Sequence, residues 1–106
     1  MTENLLSACT LPTLEQPLRR KEFDDFFADD VLEVTRPANG QVRLVLRPDP
    51  AVAARAAALA AKETQCCSFF AFELAIGDGS LTMRISVAEQ HEPVLGALAA
   101  RAEARR

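Results

Sequence analysis

The sequence has no tryptophan, no tyrosine, a single histidine (His91) and only four glycines in 106 residues. Those glycines make no phosphate-binding loop, so nucleotide sites of the P-loop or dinucleotide type are excluded. One histidine and no serine elbow leave little for classical hydrolase chemistry. The only triad available is a cysteine with His91 and Glu92, drawn from different elements, and enzymatic activity is not expected. Basic excess is missing too: net charge is -3 and the pI is about 5.1. A general nucleic-acid binder needs a basic patch to displace counterions, so nucleic acid is not an expected partner. The internal cluster Arg19-Arg20-Lys21 runs straight into Glu22, Asp24 and Asp25, the pattern of a solvated helix face.

Long apolar runs are also lacking. No segment approaches the roughly 20 apolar residues that span a bilayer, so no membrane association is expected. Met1-Thr2-Glu3-Asn4 lacks the basic flank of a secretory signal. The expected location is therefore the cytoplasm, where an odd number of cysteines stays reduced. A bridge between Cys66 and Cys67 is disfavoured, because neighbouring Cα atoms lie about 3.8 Å apart, below the disulfide range.

What the chain does have is a clear order of elements. A length of 106 residues predicts one domain, residues 1–106, with residues 1–13 as a lead segment. Pro17 suits the first turn of a helix reaching about Ala28, with Leu18, Phe23, Phe26 and Phe27 inward. Residues 31–36 and 41–47 read as strands joined through Pro37-Ala38-Asn39-Gly40. Asp49 as N-cap and Pro50 start a second helix that continues to about Gln65. Residues 69–76 and 81–87 form a second hairpin around Gly77-Asp78-Gly79-Ser80, with Phe70, Phe72, Leu74 and Ile76 on its core face. A last helix begins near Glu92-Pro93 and buries Val94, Leu95 and Leu98, while Arg101, Arg105 and Arg106 suit its C-terminal dipole.

The fold class is α+β: a two-layer sandwich in the order α-ββ-α-ββ-α. Its sheet is four-stranded and mainly antiparallel, with helices on one side. Read cyclically, this order resembles a ferredoxin-like topology with its chain ends moved, which carries no function by itself. Arg43, Arg47 and Arg84, with Thr82 and Ser86, are expected on the sheet face away from the core. They would make a basic, polar surface there.

The three cysteines, Cys9, Cys66 and Cys67, are the unusual chemical resource. Along the second helix Val52, Ala56, Leu59, Glu63, Cys66 and Cys67 recur at helical spacing on one face. A carboxylate in that stripe is costly unless a cation or hydrogen bond meets it, and two thiolates with a carboxylate suit a metal ion. Alternatively, Glu63 near a helix end bends outward to water. The cysteines, too, have a second reading as small apolar core residues. Cys9 would complete a three-thiolate set of the kind that Zn²⁺, Cu(I) and heavier thiophilic ions such as mercury prefer. His91 is either a further ligand or a surface residue at a helix start.

Ala8-Cys9-Thr10-Leu11 together with the run from Glu63 through Cys66-Cys67-Ser68-Phe69-Phe70-Ala71-Phe72 resembles a group of small bacterial proteins. These carry an early C-x-L and a later E-x-x-C-C-x-F motif. The resemblance implies that Cys9, Glu63, Cys66 and Cys67 belong together, and thiol chemistry with heavy metals fits it.

Three functions follow as expectations. The first is binding of a thiophilic ion for sequestration, delivery or sensing, with Cys9, Cys66 and Cys67 as ligands and Glu63 as ligand or proton acceptor. The second is thiol redox chemistry at the vicinal pair. The third is a non-catalytic binding module, a homodimer formed through the sheet face or edge.

Overall fold

The computed structural model describes residues 17–66 and 68–105 of the chain. Three helices and four strands follow in the expected order: α1 (Pro17–Asp30), β1 (Val31–Thr35), β2 (Gln41–Leu46), α2 (Pro50–Cys66), β3 (Ala71–Gly77), β4 (Ser80–Ser86) and α3 (Glu92–Arg105). A 3-10 turn, Glu89–His91, leads into α3. The sheet order is β1-β2-β4-β3 and every neighbouring pair is antiparallel. It is the strand order of a ferredoxin-like sheet whose chain ends have been moved. Among the described residues no helix is long and apolar enough to cross a membrane.

Local chemistry explains the boundaries. Asp49 Oδ1 accepts the Ala51 N–H at 2.8 Å, so Asp49 caps α2 and Pro50 takes the first helical position, where a missing N–H costs nothing. Asp78 and Gly79 have φ of 50° and 71°, the paired positive values of a two-residue turn between Gly77 and Ser80. The first hairpin turns on Gly40 at φ 76°. A Cβ there would sit 2.8 Å from the Val87 carbonyl oxygen, and the Gly40 carbonyl accepts the Val87 N–H at 2.9 Å. Glycine is required on both counts.

The core lies between one sheet face and the helices. Val42, Leu44 and Leu46 alternate inward from β2, and Leu81, Met83 and Ile85 from β4. Phe23, Phe26 and Phe27 of α1 pack over them, with Phe23 and Phe27 ring centroids 5.7 Å apart. From α2 come Val52, Ala56 and Leu59, and from α3 Leu95 and Leu98. Val94 is only half-buried.

Three expectations need correction. Arg47 does not join the open sheet face. It lies one residue past β2, where its side chain donates to the Asp29 carbonyl (3.0 Å) and the Asp30 carboxylate (2.8 Å). The face that remains is less basic than its arginines suggest, because Arg84 donates to Glu73 at 2.8 Å. Ile76 shares the core-side face of β3, yet it is 72% exposed.

Arg101, beyond complementing the helix dipole, joins α3 to α1. Its guanidinium donates to both Asp24 carboxylate oxygens, at 2.6 and 2.8 Å, with Arg105 3.6 Å away. The hydrogen bonds from Arg101 hold the Asp24 carboxyl below its ordinary range against the opposing effect of burial. A depressed carboxyl stabilises the fold above its unfolded value, about 3.9, and that contribution fades as pH falls through the lower folded value. Asp24→Asn is therefore expected to cost about 1–2 kcal/mol at pH 7. It should also give a shallower loss of stability below about pH 4 than the native chain. Urea midpoints measured from pH 3 to 7 check both.

Candidate functional site

The stripe of α2 ends where the chain must turn from helix to strand. Ser68 and Phe69 form that turn, so β3 starts at Ala71, two residues later than its apolar pattern predicts. Cys66 is the last residue of α2, whereas Cys9 and Cys67 lie outside the described residues. Among the described residues no three His, Cys, Asp or Glu side chains form a metal-binding group.

Glu63 decides between its two readings. It is 2% exposed, so its side chain does not bend out to water, and it is engaged with a partner. Burying a carboxylate costs several kcal/mol unless interactions offset it. It therefore stands within the buried stripe, one turn before Cys66, below Val52, Ala56 and Leu59.

The corner beyond Glu63 is walled by aromatic rings. Phe70 is buried, with its ring centroid 5.0 Å from Phe69 and 6.0 Å from Phe72. His91 stacks on Phe69 with centroids 4.1 Å apart and planes 13° from parallel. Its Nδ1 is buried without a hydrogen-bond partner. His91 is thus not a free surface residue; it covers the Ser68-Phe69 turn that follows α2. Sequence reasoning missed this contact, although the second hairpin carries its signal. A two-residue turn at Asp78-Gly79 places Ala71 opposite Ser86, so the chain leaving β4 returns beside the chain entering β3.

The helix pair places the start of α1 at the same corner. Arg55 meets Asp30 at 2.9 Å and Lys62 meets Glu22 at 3.2 Å, so α1 and α2 run antiparallel. Pro17, five residues before Glu22, is consequently level with the end of α2 at Cys66, four after Lys62.

Electrostatics at a helix C-terminus favour cations and disfavour anions, since the last carbonyls carry about half a negative charge. No basic residue lies in the last turn of α2 to offset this.

No protein-family model, curated protein or solved structure matches the chain.

The stacked pair at this corner is directly observable, because His91 is the chain's one histidine. Its imidazole protons should resonate upfield of free histidine through the Phe69 ring current. Phe69→Ala should return them toward free values and cost about 1–3 kcal/mol, a fraction of a fully buried phenylalanine because Phe69 is half-buried. Proton NMR with thermal unfolding of the variant checks both.

Proposed function

We propose that the protein binds a thiophilic metal ion at the C-terminal end of α2, through Cys66 and Cys67 with Cys9 as third thiolate. Glu63 is a ligand or the acceptor for a released thiol proton. Zinc, Cu(I) and mercury are the ions whose softness fits such a set. The role is sequestration, delivery or sensing in a reducing cytoplasm, not catalysis.

The observation that carries this reading is the antiparallel α1–α2 register, which brings Pro17 level with Cys66. Cys9 precedes Pro17 by eight residues, a tether of at most about 29 Å. A tether of that length would let the third thiol reach the vicinal pair. The negative end of α2 favours a cation at this place. The same helix end speaks against the redox alternative, which needs a thiolate of lowered pKa without an ion to stabilise it.

Native mass spectrometry of the reduced protein, offered Zn²⁺, Cu(I) or Hg²⁺ in turn, tests the proposal. One ion per chain should be retained, and Cys66→Ser or Cys67→Ser should abolish retention. Cys9→Ser should weaken it at least about 100-fold, and Glu63→Gln about 10–100-fold. Retention undiminished in Cys66→Ser, or none of the three ions retained by the native chain, removes the reading.

A further inference from the structure

The two edges of the sheet are built differently. β1 has five residues, carries Glu33 and is broken by an irregularity between Val31 and Glu33 that leaves Leu32 52% exposed. Pro37 stands two residues past its end. Shortness, a bulge, a charge and a nearby proline are the devices by which proteins keep a sheet edge from pairing. β3 has none of the structural ones. Its seven residues, Ala71–Gly77, pair with β4 in unbroken register, without proline, lysine or bulge. Its one charge, Glu73, is neutralised by Arg84. Among the described residues no strand lies on its outer side.

The core-side face of this edge is incompletely covered. α3 and α1 lie toward β1, and α2 is the helix chiefly packed against β3. Phe72 and Leu74 are half-buried, and Ile76 is 72% exposed. An apolar row on an unguarded edge strand is a template for strand addition.

We propose that β3 is the dimerisation edge and that its occupant is the β3 of a second copy. The two strands would run antiparallel about a twofold axis through Leu74, making one eight-stranded sheet with both helix layers on the same side. The strand is self-complementary in this register. Phe72 meets Ile76 of the other copy, Leu74 meets its counterpart, and Ala71 meets Gly77, so the exposed Ile76 gains an apolar cover. Glu73 lies opposite Ala75, whereas a register centred on Glu73 would set two carboxylates face to face. The seven paired residues span about 24 Å. With the flanking apolar row, such an edge lies near the lower limit for a specific interface, about 1,200 Å² in total, and the dimer should dissociate at about micromolar concentration. The cysteine corner stays at the outer end of each β3, so the dimer does not depend on metal binding.

Sedimentation equilibrium of the full chain at 1–200 µM, with a phosphine reductant and EDTA present, tests this. The mass should rise with concentration from 11.5 kDa toward twice that value. Ile76→Lys, on a side chain already facing solvent, should hold the protein at 11.5 kDa throughout while leaving its circular dichroism, and its melting temperature at the lowest concentration, unchanged. Hydrogen exchange of the β3 amides should slow as concentration rises. A monomer at 200 µM overturns the proposal. So does a dimer untouched by Ile76→Lys. Amide protection along β3 that is independent of concentration would place a segment of the same chain on the edge, and overturns it equally.

Discussion

Asp30 is the residue on which the arrangement of the other elements depends. It is the last residue of α1, is 3% exposed, and is followed at once by β1. Its carboxylate accepts from Arg47, just beyond β2, at 2.8 Å, and from Arg55 of α2 at 2.9 Å. Its carbonyl accepts the Arg47 N–H at 2.9 Å. A buried carboxylate without partners would cost several kcal/mol. Two charge-assisted hydrogen bonds, each worth about 1.5–3 kcal/mol, offset that cost only in this geometry. Arg55 is held further by the Phe26 ring, 5.9 Å from its guanidinium carbon. Both arginines keep part of their surface in water, so the desolvation falls mainly on Asp30. The three-way junction thereby joins both of the first two helices to the first hairpin.

The consequences of that junction reach the far end of α2. With Arg55 fixed against Asp30, the antiparallel helix pair has one register, and Lys62 against Glu22 continues it. Surface pairs such as Lys62–Glu22 are worth well under 1 kcal/mol by themselves. Their register is imposed by Asp30 and by the packing of Phe23, Phe26 and Phe27. Helix pairing thus carries a constraint made at one end of the molecule to the corner at Cys66, about 11 residues and some 16 Å of helix away from Arg55.

What was legible in the sequence was what local chemistry decides. The Asp49 cap, the Asp78-Gly79 turn, the alternation in β2 and β4 and the three phenylalanines of α1 each follow from neighbours within a few positions, and together they give the element order. The helical spacing that puts Glu63 in the buried stripe was legible too, but not whether its side chain stays there, because snorkelling depends on what covers the helix end. Arg47 and Ile76 depart from their expected places, and the stacking of His91 is not expected, for a shared reason. Arg47 answers a carboxylate 17 positions earlier, Ile76 depends on how far the helix layer extends, and His91 meets a ring 22 positions before it. No periodicity within a single element reports such contacts.

Two features at the end of α2 bear on the proposed ion site. Glu63 is a buried carboxylate, the last carbonyls of α2 are partly negative, and a thiolate would add more negative charge. Under the proposed reading, a soft cation pairs with thiolates at this corner and meets the helix end favourably. Under the proposed reading, deprotonation and ion binding are therefore one event, and ion affinity rises with pH as thiol protons become easier to release. Under the same reading, the rings of Phe69, Phe70 and His91 beside this turn would lower the local dielectric, which strengthens metal–thiolate attraction.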